Sequence, residues 1–440
     1  MTTLFLSCNI VAVTKQPLHW VQGTTMPSLP QTNIPDGFSV RDLYSPEVIA
    51  NPYPYYNHLR DKPIAFGLED YPPGTVPGQD KPHPAWVILK HDDVVEVCRN
   101  HEVFSSRDRM QEQSDAPTLM LVNHDPPRHT VLRAIAQKAF TRKRVEEDIK
   151  PWIETVVQRQ LAAEDDQIVD IMESIAPDLP ALVMTRLIGT PEADYVRLRR
   201  WANAFMVTSD FTIDERNQCN VELWDYYESA VNERYANIEA GRETPDDLMS
   251  AFIRAESEGN KLSREEVVRF CVTLVVAGAE TTAYLIGNLI DVLVDQPEMF
   301  EKLRSDRSLV RPFIEESIRR DGPIQRLHRE CTQDYELGGA TIRAGDWVAV
   351  FFASANRDPA VWESPNEFRL NRPNISRQLT FSHGIHHCMG SGVARNEASI
   401  LINGLLDRYK AIEAAGERVR QRGGLLNYGL ETCPVHLVSA

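Results

Sequence analysis

The stretch Phe381-Ser-His-Gly-Ile-His-His-Cys388-Met-Gly390 sets a lone cysteine just before an amphipathic run from Val393 to Leu406, where a loop turns into a helix. Helix N-termini carry unpaired N–H groups and partial positive charge, which lower a thiol's pKa and can hydrogen-bond its sulfur. Gly384 and Gly390 have no Cβ, so the backbone there can press against something flat. A flat partner held through one sulfur points to haem iron, whose thiolate ligand favours O–O cleavage. A buried structural cysteine fits the same residues. So does a zinc site of His383, His386, His387 and Cys388, although such sites draw ligands from separated pairs and no second Cys or His pair stands at that spacing. The rest of the chain has to decide.

No Gly/Ser-rich linker and no repeat divides the 440 residues, and one main domain over 34–440 is expected after an extension of residues 1–33. A 42% hydrophobic content is ample for a core. The cysteines at 8, 98, 219, 271, 331, 388 and 433 are odd in number, scattered and without CxxC spacing, which fits a reducing, cytoplasmic setting. With 47 basic against 63 acidic residues the net charge is −16, which speaks against a nucleic-acid partner. The run Val272 to Val294 is long enough to cross a bilayer, but Glu280, Asn288 and Asp291 would be costly there, so it reads as a buried core helix and no membrane span is expected.

The apolar start Met1 to Val13 lacks a preceding basic residue, so neither a secretory signal nor a lipoprotein signal at Cys8 is expected. Thr25 to Gln31 is rich in Pro and Ser and reads as flexible. Residues to about Gly23 read as a dispensable extension, with Met26 as an alternative start.

Periodicity predicts helices over Tyr53–Arg60, Arg133–Phe140, Val145–Leu161, Ala176–Ile188, Asp194–Phe205, Val221–Ala240, Glu265–Val294 and Leu309–Arg320, and a helix carrying Val94, Val95 and Val97 capped by Asp92. Strands are predicted at Trp86–Leu89, Tyr335–Gly339, Thr341–Arg343 and Trp347–Phe351. The fold class is therefore mainly α with minor β.

Within the long apolar helix, Ala277-Gly278-Ala279-Glu280-Thr281-Thr282 sets a carboxylate and two hydroxyls where polar groups need partners. The small pair followed by Thr fits a local opening of the helix able to lodge a diatomic molecule, and equally a Gly-mediated helix crossing with Thr bonded to the backbone. Glu316 and Arg319 lie three apart on one helical face, a pairing that on a surface is worth only about 0–1 kcal/mol. His129 and Arg133 lie one turn apart, placed either to grip a carboxylate or to end a solvated basic helix. Lys138, Arg142, Lys143 and Arg144 form a basic cluster in an acidic protein, as a solvated face or a docking site. No Gly-x-Gly-x-x-Gly follows a strand, so no nicotinamide or flavin fingerprint is present.

Taken together, these segments resemble the cytochrome P450 family over nearly everything from Ile34 to Ala440. The cysteine loop fills every fixed position of that family's Phe-x-x-Gly-x-(His or Arg)-x-Cys-x-Gly pattern, with departures only at Ser382, where Gly is frequent, at Met389, where Leu is common, and in an extra His387. The resemblance implies a triangular helical prism enclosing haem b, with Cys388 as the metal ligand. By the same resemblance, Ala277 to Thr282 is the oxygen-binding segment, Ala277 borders the haem, Thr281 supports protonation of dioxygen and Glu280 links the proton chain to solvent. His129, Arg133, Arg329 and His386 are assigned to the haem propionates, and Arg372 in Phe368-Arg-Leu-Asn-Arg372 joins Glu316 and Arg319 in a structural cluster.

The activity so implied is insertion of one atom of dioxygen into a C–H bond of a hydrophobic small molecule. Electrons would pass from NAD(P)H through a separate reductase and an iron–sulfur ferredoxin docking on the basic cluster. A peroxide-using peroxygenase and a non-catalytic haem sensor are the rivals, and the pair Glu280-Thr281 favours dioxygen. A substrate pocket is expected from Met110, Leu119, Met120, Phe205, Met206, Val276, Ala277, Ile324 to Leu327 and Tyr428 to Leu430, with Gln325, His328 and Tyr428 as polar orienters.

Overall fold

The reciprocal cap of Ser263 and Glu266 starts the helix around which the protein is built. Glu266 N–H donates to Ser263 Oγ at 3.2 Å and Ser263 N–H to Glu266 Oε2 at 2.9 Å, satisfying two donors that the first turn leaves open. The helix then runs unbroken over Arg264–Asp295. It is long and apolar enough to cross a membrane, yet 78% of its most apolar window is buried inside the protein. The computed structural model describes residues 34–70, 83–108, 119–141, 143–162, 167–206, 211–257 and 260–439. Contacts group Gly37–Ala440 as one unit.

Around the long helix pack Ile175–Ile188, Tyr195–Phe205, Ile213–Glu239 and Val310–Arg320. Two predicted starts fall too late. Arg128–Ala139 begins directly after Pro127, because proline's fixed φ suits helix entry and its missing N–H is not needed there. Ile213–Glu239 begins after Thr212, which caps it with Glu215 in a second reciprocal box. The helix His91–Arg99 follows Lys90, and its cap is not Asp92: the carboxylate of Asp358, far along the chain, accepts the His91 N–H at 2.9 Å.

Strand Trp347–Phe351 is buried along its whole length. It pairs in parallel with His83–Ile88 and antiparallel with Arg326–Cys331, in a five-stranded sheet edged by Ala65–Asp70 and Phe104–Ser105. This pairing sets Arg329 opposite Val348 of the wholly buried strand. A second sheet joins Tyr409–Ala414, Pro434–Ser439 and Ile168–Asp170.

Candidate active site

The loop carrying Cys388 is tied to helix Val310–Arg320 by buried polar contacts. Thr380 Oγ1 donates to the Ile318 carbonyl at 2.6 Å, and Asn356 donates to Thr380 Oγ1 at 2.8 Å while accepting from Leu379 N–H at 2.7 Å. Arg395, on the following helix Ser391–Arg408, grips Glu315 at 2.7 and 3.1 Å and stacks over Phe381. Beneath lies the expected cluster: Glu316 accepts from Arg319 at 2.7 and 2.8 Å and from Arg372 at 2.8 Å, all three buried. Each guanidinium also donates to backbone carbonyls of the 356–367 stretch, so the cluster is a frame for the loop.

Two loop residues occupy the left-handed region. Gly384 has φ +71°, and a Cβ on it would stand 2.6 Å from the Cys98 carbonyl oxygen. Its missing side chain therefore answers the protein's own backbone, not a flat partner as expected. Ser382 has φ +62°, which explains why glycine suits that position.

Cys388 is exposed where the other described cysteines are buried, and its thiol opens into a cavity of about 480 Å³. Because that exposure is to a cavity enclosed by the fold, desolvation still pushes the thiol's pKa up. This corrects the expectation from the helix terminus, although the Gly390 and Ser391 N–H groups and Arg133 do pull the other way. The cavity is walled by Cys388, Gly390 and Ala394 and by Ala277, Gly278 and Thr281 of the long helix. Thr281 Oγ1 donates to the Ala277 carbonyl at 2.7 Å. Of the two readings of this segment, the long helix shows the Gly-mediated crossing and no opened turn: Gly278 packs against Met184 of Ile175–Ile188. Glu280 does not line the cavity; it is buried on the side of Arg199, and desolvation raises its carboxyl to about 7.

His129, Arg133, Arg329 and His386 all line the same cavity. The rings of His129 and His386 lie 4.5 Å apart, and His386 Nε2 meets Ser106 Oγ at 2.8 Å. Burial, then Arg133, lowers His129 to about 4, and burial, then Arg329, lowers His386 to about 2, so both rings are neutral. Arg133 donates to the His387 carbonyl at 2.8 Å and Arg329 to the His328 carbonyl at 2.6 Å, and neither forms an ion pair with a described carboxylate. Asp125, the acid nearest Arg329 in electrostatic effect after Cys98, accepts instead from Ser105 and Ser106. His129 Nε2 is buried without a partner. Two unmatched guanidiniums and an orphaned imidazole nitrogen beside an apolar chamber fit a group that is apolar in body and carries carboxylates, as haem is. A zinc site is excluded among the described residues, where no three His, Cys, Asp or Glu side chains are grouped to hold a metal; His383 accepts from Arg99 instead.

Of the expected pocket, Leu119, Met120, Phe205, Met206, Val276, Ala277, Ile324, Leu327 and His328 line the cavity. Met110 lies outside the described residues. Gln325 and Arg326 are buried away from the cavity, and the Tyr428–Leu430 turn packs elsewhere: Tyr428 meets Tyr53 edge-on and lies under Arg420, while Leu426 takes the lining place. Sequence reasoning missed Arg216 and Asn220, which also line the cavity, and Glu397, whose buried carboxyl is pushed well above the usual range. In the basic cluster, Lys138 and Lys143 are exposed, but Arg144 is bound to Asp246 at 2.5 Å and to the Ala139 carbonyl; Arg142 lies outside the described residues.

This is the arrangement of a haem-thiolate oxygenase, and comparison with known proteins agrees. The sequence profile of the cytochrome P450 family matches residues 199–423. A putative cytochrome P450 of Bacillus subtilis strain 168, YjiB, is 32% identical over 375 residues, 82% of this chain and 88% of that protein. The methyl-branched lipid omega-hydroxylase of Mycobacterium tuberculosis H37Rv is 30% identical over 431 residues, 94% of this chain and 97% of that protein. The crystal structure of CYP109E1 from Bacillus megaterium in complex with testosterone matches with a TM-score of 0.75 and 30% identity, over 88% of this chain and 99% of that one. The chain belongs to the cytochrome P450 family. It is a monooxygenase that works with haem b and draws electrons from external redox partners.

Proposed function

We propose that Cys388 would bind the iron of haem b through its sulfur in this cavity, and that the protein hydroxylates an unactivated C–H bond of a lipophilic molecule of lipid or steroid size. The observation that carries the assignment is the thiol opening on an apolar chamber bordered by Arg133 and Arg329, two guanidiniums that pair with no carboxylate among the described residues. The bound group supplies iron-centred activation of dioxygen. The chain's own residues do the rest. Arg133, Arg329, His129 and His386 would hold the two carboxylates of the group, while the walls around Ala277 would exclude water and align the substrate. The Thr281 hydroxyl gives its proton to the Ala277 carbonyl at rest and would offer it to the cavity only after rotating away from that carbonyl. Glu280, raised to about 7, exchanges protons near neutrality and renews the supply from the side of Arg199.

Residues 34–440 form the catalytic domain on this reading, and residues 1–33 an extension. The electron donor is an iron–sulfur ferredoxin, itself reduced from NAD(P)H by a reductase, docking at the exposed lysines Lys138 and Lys143 in the cytoplasm. The test of ligation is spectroscopic. The reduced protein with carbon monoxide should show the red-shifted Soret band of thiolate-bound haem, and Cys388→Ala should abolish it; an unchanged band in that variant refutes the assignment.

A further inference from the structure

Arg216 and Asn220 lie one turn apart on helix Ile213–Glu239, and each is at least nine-tenths buried and lines the cavity. Neither takes part in the oxygen chemistry. Arg216 is occupied by backbone: Nη1 donates to the Ala204 and Met206 carbonyls at 2.8 and 2.6 Å, and Nε to Phe211 at 3.1 Å, which fixes the end of helix Tyr195–Phe205. Asn220 is different. At 6% exposure its carboxamide makes no hydrogen bond to any described residue, and Oδ1 is wholly buried without a partner. Phe205, Met206, Phe252 and Phe270 are also among the lining of the chamber. Phe270 precedes Thr281 by about three turns of the long helix, roughly 16 Å of rise, so the chamber reaches well beyond the thiol. A buried, unpartnered polar group facing a ligand chamber is retained where the ligand supplies the missing partner.

We propose that Asn220 is a specificity-determining residue: its carboxamide receives a hydroxyl of the lipophilic substrate and thereby fixes which C–H bond is presented at the thiolate end. A carboxamide offers both acceptor and donor, whichever way it is turned. A hydroxyl answers both at once. A ketone or carboxylate satisfies the N–H side only and leaves the oxygen orphaned, and a hydrocarbon satisfies neither. The inference rests on the haem-thiolate reading above.

The test uses the ferric holoprotein and 1-alkylimidazoles of increasing chain length, each paired with its ω-hydroxy counterpart. The imidazole anchors at the metal and reports binding by a red shift of the Soret band, so no substrate need be known. In one window of chain length the hydroxyl should improve the ratio of dissociation constants by about 3- to 10-fold over shorter pairs. In Asn220→Leu that gain should vanish while alkyl binding holds or tightens, and the ligand-free thermal midpoint should hold or rise, because an unpaired polar group has been removed. Asn220→Ala serves as the second variant should leucine overfill the site. A ratio flat with chain length, or equal in wild type and variant, overturns the proposal, as does a lowered midpoint with the ratio intact, the mark of a structural asparagine. If no imidazole moves the band of either protein, the haem reading fails and takes this proposal with it; a normal shift without hydroxyl discrimination removes the proposal alone.

Discussion

Replacing Glu316 with alanine should cost the protein most of its stability, and the structure says how much. The two carboxylate oxygens accept from Arg319 Nε and Nη2, from Arg372 Nε and from the Arg369 backbone N–H, all within 2.7 to 2.9 Å. Arg319 is 0% and Arg372 7% exposed, so neither cation can turn to water once its partner is gone. Breaking a buried pair from one side costs about 3–5 kcal/mol. An orphaned backbone N–H adds about 1–3 kcal/mol. The loss, roughly 4–8 kcal/mol, rivals the whole stability of an ordinary domain, about 5–15 kcal/mol. Glu363 provides the control: it pairs with Arg369 at 3.2 Å but is 87% exposed, and its removal should cost under about 1 kcal/mol. Both variants are measured by denaturant midpoint and by haem retained per protein. Glu316→Ala with the midpoint and haem content of Glu363→Ala would refute the reasoning.

Glu280 gives a pH signature. Its folded carboxyl sits at about 7 against an ordinary 4.5, so the folded state holds the proton more tightly than the unfolded chain. Stability is therefore lost as pH rises from about 4.5 through about 7, by roughly 3 kcal/mol. Glu280→Gln should flatten that slope, its thermal midpoint gaining on wild type between about pH 5 and about pH 8, and parallel curves would contradict the shift. In Thr281→Ala, product formation should fall about 100-fold while peroxide appears in its place, measured as product per electron consumed; unchanged coupling counts against proton delivery. Lys143→Glu should slow reduction by a ferredoxin more below about 0.1 M salt than above it, and a salt-independent rate would dismiss docking there.

What could be read in the sequence was local. Cys388, the pair Glu316 and Arg319, and His129 one turn before Arg133 stand out by spacing along a loop or helix, but spacing leaves alternatives open at each and the resemblance to the cytochrome P450 family chooses between them. The long helix was placed to within a residue at each end because its apolar run is long and unbroken. Contacts closed across the fold were not legible. Asp358 capping His91 and Arg395 gripping Glu315 join segments between 80 and 267 residues apart, and nothing in either segment names the other. Asn220 was hidden for a different reason: a polar residue on a mixed helix reads as solvated, and only the fold turns it inward. The Tyr428 turn failed conversely, since an apolar turn near the chamber is equally at home in the core.

Gly278 shows how little separates packing from selectivity. A methyl group on it would come within 2.5 Å of the Met184 sulfur, a flexible tip that can swing aside, and Met184 also lines the cavity. The gap between two crossing helices thus doubles as a gauge for the substrate. Drift at that one position would resize the room in which the substrate lies, leaving the sulfur, the proton donors and the anchoring cations as they are.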